Sequence, residues 1–336
     1  MGSPRPTMRD VAEKAGVSLK TVSRVVNDEP GVAAATAERV VAAIAALGFQ
    51  RNDLARSLRQ GRSSSTLGLI IEDVSNPFYS AVAEAVERVA RERGYLLITG
   101  SCEEDPELER ELATSLLRRR VDALIIVPAS RDHGYLVPLL AVGTPAVFLD
   151  RPPDGIVADC VLADDRNGAR AAVEHLIAHG HRRIACLSDS DDLYTAGERR
   201  AGYRDALDGA GITPDEELLV AGSHDAGAAE RHTRTLLDLP PERRPTAIFS
   251  ANNRNTIGVL RALRDRSREI ALVGFDDFEL ADLLSTPVTV VRSHPSRLGE
   301  QAAVLAFGRL NGDDGPARRV VLPTELVPRG SGEITP

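Results

Sequence analysis

The chain has 336 residues, of which 43% are hydrophobic and 27% charged, and it carries a net charge of −8. That is room for two or three domains with real cores, in an ordinary globular composition. No run approaches the roughly 18 apolar residues of a membrane span, and the N-terminus lacks the apolar stretch of a secretory signal, so a cytoplasmic protein with no membrane partner is expected. Cys102, Cys160 and Cys186 have neither metal-ligand spacing nor the pattern of a disulfide framework, and read as buried free thiols.

The charge is segregated. Residues 1–62 hold ten Lys/Arg against six Asp/Glu, a net of +4, whereas residues 63–336 hold 31 against 43, a net of −12. A basic head on an acidic body suits phosphate binding by the head alone. In that head, Thr7 is an N-cap and Asp10 completes a capping box. Met8, Val11, Ala12 and Ala15 then recur at helical spacing, and Gly16 supplies the left-handed exit. Ser18 caps a second helix with Val22, Val25 and Val26 inward. Leu19, Lys20, Ser23, Arg24 and Asn27 lie outside, a short basic face that fits the DNA major groove. The same pattern fits an amphipathic hairpin with a solvated face. A turn at 27–31 leads to a third helix from Val32 to Leu47, with Val40, Val41, Ile44 and Leu47 on one face and Gly48 past its end.

The blocks Asp10-Val11-Ala12, Ala15-Gly16-Val17-Ser18, Thr21-Val22-Ser23-Arg24-Val25-Val26-Asn27 and Leu47-Gly48-Phe49 resemble the LacI/GalR (lactose-repressor) family of bacterial transcription regulators. One departure is Ala33, where the family usually has a serine that caps the third helix; losing a cap costs about 1 kcal/mol. The resemblance implies that 51–65 is a hinge that becomes helical on DNA, with Leu58 wedged between central base pairs in the minor groove, a use of apolar side chains that unstacks a step and bends the duplex. Leu54 and Leu58, four apart, would also suit simple packing on a core. The DNA-binding residues it implies are Thr7, Ser18, Leu19, Lys20, Thr21, Ser23, Arg24, Asn27, Asn52, Ala55 and Leu58.

From Leu67 the pattern alternates strand and helix. Strands are expected at 67–71, 95–99, 123–127 and 146–149, with helices from Tyr79 to Arg93 and Pro106 to Arg119 between them. A second series follows, with helices at 168–179, 199–210, 226–237 and 257–266 and strands at 184–187, 218–220, 247–249 and 271–275. Short apolar strands separated by helices mean a parallel sheet covered on both faces. The fold class is therefore α/β: a three-helix helix-turn-helix headpiece (1–50), a hinge segment (51–65), then two doubly wound lobes of periplasmic-binding-protein type (66–330). The first lobe takes 66–162 and 293–322 and the second 163–292 and 323–330, with Leu298 to Leu310 as a late helix and 331–336 as a tail.

Ligands in such folds sit beyond the carboxyl ends of the strands. The loops there carry Asn76-Pro77-Phe78-Tyr79, Asp150-Arg151, Thr195 to Arg199, Ser223-His224-Asp225, Asn252-Asn253 and Asp276-Asp277. Carboxylates, amides and an Arg beside aromatic rings suit a polyhydroxylated ligand. The resemblance implies Phe78, Tyr79, Asp150, Thr195, Arg199, His224, Asn252 and Asp276 as effector contacts. His224 stands where relatives carry an aromatic wall, and the chain has no Trp, which favours a pentose, hexose or nucleoside over a disaccharide. Asn253 replaces a more usual aspartate, a change expected to leave the pocket residues untouched. His175, His179 and His181 look like a metal or catalytic cluster, yet His and Arg at a helix end also cap it. No P-loop or nucleophile elbow is present, so no enzyme activity, cofactor or metal is implied. The expected partners are double-stranded operator DNA, a sugar-like or nucleoside-like effector and a second copy of the chain in a homodimer.

Overall fold

The computed structural model describes residues 6–27, 29–49, 64–141, 143–190, 192–264 and 270–336. Asn52, Ala55 and Leu58, with the rest of the expected hinge up to residue 63, lie outside them, as do the last two residues of the helix expected at 257–266. The chain divides into two compact units, Met1–Ser64 and Ser65–Pro336.

In the first unit, helices α1 (Met8–Ala15), α2 (Leu19–Val26) and α3 (Ala34–Leu47) pack around Val11, Val22 and Val40. Both halves of the capping box at Thr7 and Asp10 are formed, and Gly16 takes φ 64°. The α3 helix starts at Ala34, two residues later than the pattern suggests, and Ala33 provides no side-chain cap. One inward assignment is wrong: Val41 is exposed, and Ala43 is buried with Val40. Small alanines all round α3 blur its apolar face, so periodicity alone misplaces it by one position.

The second unit holds two six-stranded sheets. The first runs β11-β5-β4-β3-β1-β2 and the second β12-β10-β9-β8-β6-β7. In chain order the first lobe comprises β1 (Thr66–Ile71), α4 (Pro77–Glu92), β2 (Leu96–Ser101), α5 (Pro106–Arg118), β3 (Ala123–Ile126), α6 (Val137–Ala141), β4 (Ala146–Leu149) and β5 (Asp159–Ala163). The second comprises α7 (Asp165–Ala178), β6 (Ile184–Leu187), α8 (Tyr194–Gly209), β7 (Leu219–Val220), α9 (Ala226–Leu237), β8 (Ala247–Ser250), α10 (Asn253–Leu263), β9 (Ala271–Phe275) and β10 (Thr289–Arg292). The chain returns to the first lobe for α11 (Pro295–Leu310) and β11 (Arg319–Leu322), then ends in the second with β12 (Glu325–Val327). It thus crosses between lobes three times, and all ladders are parallel except β10 with β12. Strands buried on both faces, such as β1 and β9, explain the unbroken apolar runs.

Strand β5 is absent from the sequence reading because Asp159 interrupts its apolar run. That carboxylate is buried and answered by the Arg309 guanidinium at 2.7 and 2.8 Å and by the Arg318 N–H at 2.7 Å. The expected 331–336 tail is also corrected, because these residues complete the second lobe. Ser331 Oγ donates to the Leu272 carbonyl and accepts from Thr289 N–H, Glu333 pairs with His175 at 2.6 Å, and His181 meets the Ile334 carbonyl at 2.7 Å. His175 and His181 therefore fasten the C-terminal segment, while His179 bonds the His175 carbonyl at its helix end. Among the described residues no cluster fits a metal ion, and no helix is long and apolar enough to cross a membrane. The three cysteines are buried free thiols.

Candidate functional site

The outer face of α2 presents Lys20, Ser23, Arg24 and Asn27 at helical spacing, with Leu19 and Lys20 exposed at its start. Thr7 and Ser18 have a structural duty besides any contact with DNA. Thr7 Oγ1 accepts the Asp10 N–H and Ser18 Oγ accepts the Thr21 N–H at 3.1 Å, each closing a helix N-terminus. Thr21 Oγ1 lies 2.9 Å from Ser18 Oγ, and the Asn27 amide donates to Ser23 and Glu29. Arg24 and Lys20 are the long cationic donors of this face, which suits guanine edges or phosphates.

The two lobes enclose one cavity lined by all eight expected effector residues, Phe78, Tyr79, Asp150, Thr195, Arg199, His224, Asn252 and Asp276. Glu72, Asn76, Arg151, Asp189, Asn253 and Arg254 also line it. The cavity volume is about 40 Å³, enough for about three waters at roughly 10–15 Å³ each.

The cavity floor is built twice over by the same device. Asp150 follows β4 and Asp276 follows β9, and both adopt a left-handed backbone, φ 68° and 64°. This conformation is strained for a non-glycine residue, and both residues line the cavity. Tyr79 donates its hydroxyl to Asp150 Oδ2 at 3.2 Å, while Asp150 Oδ1 is buried with no partner among the described residues. Burial pushes the Asp150 carboxyl up, and the nearby Arg151 and Arg199 oppose that push. On the opposite side, Arg199 Nε donates to Asp165 at 2.7 Å and Nη1 donates to the Ala251 carbonyl at 2.7 Å and to Asp276 at 3.2 Å. Its guanidinium lies over the Phe275 ring, 3.9 Å from the centroid. Burial lifts Asp165 to about 7 despite Arg199.

The other cations of the lining are likewise paired. Arg151 grips Glu104 through both Nη atoms and also donates to the Pro128 carbonyl at 2.7 Å. Arg254 donates to Asp73, with Glu72 at 3.6 Å. His224 is 66% exposed at the rim and bonds Asp189 at 2.8 Å, so it closes an edge and does not form the aromatic wall its position suggests. Phe78 and Tyr79, packed edge to face at 5.0 Å, supply the apolar surface.

Two expectations about loops are corrected. Thr195 and Arg199 lie in the first turns of α8, and Asn252 is the N-cap of α10, accepting from Asn255 N–H at 2.7 Å. Asn253 is not remote from the pocket: it lines the cavity, is buried, and its amide donates to Asn76 Oδ1 at 2.9 Å. Glu72, Asp189 and Arg254 escaped the sequence reading. For Glu72 the signal was available, since it directly follows β1 as Asp150 follows β4.

The family described as bacterial regulatory proteins, lacI family, matches residues 7–52, and a periplasmic binding protein-like domain matches residues 173–332. The chain is 34% identical to the ribose operon repressor of Escherichia coli (strain K12) over 334 residues, covering 97% of this chain and 99% of that one. It is 31% identical to the HTH-type transcriptional repressor PurR of Vibrio atlanticus (strain LGP32), covering 97% and 98%. The crystal structure of the lac repressor dimer bound to operator and the anti-inducer ONPF is similar at a TM-score of 0.84, with 29% identity and coverage of 97% and 99%. The chain belongs to the lacI family of bacterial regulatory proteins.

Proposed function

We propose that this protein is a cytoplasmic transcriptional repressor that binds a palindromic operator as a homodimer and changes its hold on DNA when a small neutral sugar, a pentose first, fills the inter-lobe cavity. Lys20 and Arg24 read base edges, Leu19 adds apolar contact, and Thr7, Ser18, Thr21, Ser23 and Asn27 sit on phosphates or hold the recognition helix. In the hinge, Asn52, Ala55 and Leu58 are the proposed minor-groove contacts.

The observation that carries the effector reading is the unpartnered, buried Asp150 Oδ1 in a cavity whose arginines are already paired with carboxylates. A buried acceptor needs a donor, and a sugar hydroxyl supplies one. Phosphate adds negative charge to a site in which, among the described residues, Arg151, Arg199 and Arg254 are each already paired with a carboxylate, although Arg151 Nε itself has no hydrogen-bond partner. The small volume argues against a disaccharide, and the ribose operon repressors among the relatives support a pentose.

Isothermal titration with D-ribose, D-ribose 5-phosphate, adenosine and cellobiose tests this. D-Ribose is expected to bind, with the phosphate ester at least about 10-fold weaker. Equal binding of the phosphate ester would overturn the charge argument, and binding of adenosine without ribose would make the effector a nucleoside.

A further inference from the structure

Helix α10 begins with two consecutive residues that reach across the cleft. The Asn253 amide donates to Asn76 Oδ1, and Arg254 Nη2 donates to Asp73 and lies 3.4 Å from Ser75 Oγ. Asp73, Ser75 and Asn76 belong to the turn between β1 and α4 in the first lobe. Each end of this bridge is anchored to a helix N-terminus of the proposed effector site. Asn76 Oδ1 also caps α4 by accepting the Phe78 N–H at 3.1 Å, just before Phe78 and Tyr79. Asn252, immediately before the bridging pair, caps α10.

The residue types fit this geometry. Because the cap requires Asn76 to present its oxygen, position 253 must offer a donor. Asn253 does; a carboxylate there would face the acceptor and leave a buried charge unanswered. The Ser75 backbone N–H and hydroxyl, with Arg254 adding to them, hold the Asp73 carboxyl below the usual range. It therefore stays an anion throughout neutral pH, ready for a charge-assisted bond. The pair is only partly exposed, 27% for Arg254 and 29% for Asp73. By contrast Arg131 with Asp192, another ion pair between the lobes, is 68% and 79% exposed, a setting where such pairs contribute little.

From this bridge we infer that Asn253 and Arg254 form a built-in latch that holds the two lobes together before any effector arrives, and that Arg254 is thereby a positioning residue for effector affinity. The inference rests on the proposed effector site between the lobes. A ligand enclosed by both lobes binds only the closed arrangement, so its apparent Kd is the intrinsic one divided by the closed fraction. A latch keeps that fraction high and preorganises Asp150 opposite Asp276 and Arg199. Without it, ligand binding must close the lobes at its own expense.

The test is a double-mutant cycle with Arg254→Ala and Asp73→Asn in the full chain. One readout needs no ligand: spin labels at exposed Glu111→Cys and Glu242→Cys, one on each lobe, in dimers diluted with unlabelled protein. The other is the Kd for D-ribose. Each single variant is expected to move the ligand-free label distances to longer, broader separations and to raise the Kd roughly 3- to 10-fold. The double variant should match the single ones within about twofold, because both remove the same bond. Unchanged label distances in Arg254→Ala, or effects that multiply in the double variant, would overturn the latch. If D-ribose fails to bind the unmodified protein while the distances respond, the latch stands and the effector reading falls. Should Arg254→Ala fold poorly, the conservative Asp73→Asn variant alone still decides, since unchanged label distances and an unchanged Kd in it would overturn the latch.

Discussion

Glu72 offers a quantitative test of the electrostatics of the cleft. It follows β1 directly, lines the cavity, and has an 18% exposed side chain with Arg254 at 3.6 Å as a cation partner. Burial first, and the nearby Glu104 second, lift its carboxyl from 4.5 to about 7. A carboxyl raised in the folded state keeps its proton where the unfolded chain has lost it. Its effect on stability is therefore absent below pH 4.5, grows unfavourably as pH rises, and levels off above about pH 7. At about 1.4 kcal/mol for each tenfold in proton affinity, the full penalty is about 3 kcal/mol. Glu72→Gln removes the charge and hence the penalty. Relative to the parent, the variant should gain about 2–3 kcal/mol between pH 5 and pH 8, or about 5 °C in Tm at roughly 2 °C per kcal/mol for a unit of this size. Differential scanning calorimetry of both proteins from pH 5 to pH 8 measures it. Parallel Tm curves, with no widening gap towards pH 8, would show that Glu72 ionises freely and that the cleft is wetter than its geometry implies.

Other outcomes follow from the headpiece and from helix packing. Arg24→Ala should cost about 1–3 kcal/mol in operator binding and relax preference at one base pair per half-site, read by binding-site selection; equal loss on specific and random DNA would leave Arg24 a phosphate contact only. Two glycine-to-alanine changes in helix interiors should have opposite signs in denaturant titrations. At Gly299 in α11 a Cβ would lie 2.5 Å from the Val82 carbonyl oxygen of α4, and the overpacking should destabilise by about 1–3 kcal/mol. At Gly197 in α8 nothing lies within 4 Å, so alanine should stabilise by up to about 1 kcal/mol through helix propensity alone.

The two-lobe plan was legible because its strands are short, apolar and separated by amphipathic helices. The headpiece was legible because Thr7, Asp10, Gly16 and Ser18 each sit where a cap needs them. What periodicity missed is concentrated around the cavity. Helices α7, α8 and α10 all begin several residues before their apolar pattern does, since their first turns carry Asp165, Thr195, Asn253 and Asn255, polar residues buried against the site. An apolar-face criterion is blind to a helix start whose inward side is polar. For the same reason Asp159 concealed β5. Proximity across the cleft was out of reach in another way. Arg254 and Asp73 are 181 positions apart, and neither carries a local mark of the other. The tail was misread because Ser331 and Glu333 look like solvent-facing residues until Leu272, Thr289 and His175 are placed beside them.

Effector control requires that filling the cavity change the grip of the headpiece on DNA. The direct measurement is operator affinity of the full-length protein, by fluorescence anisotropy on a palindrome selected from random sequence, with and without saturating D-ribose. Coupling between sites of this kind is about 1–3 kcal/mol, so the affinity should change at least about 5-fold, and Asp150→Asn should lose the change along with sugar binding. An operator affinity that stays constant while calorimetry shows the cavity occupied would contradict effector control of DNA binding.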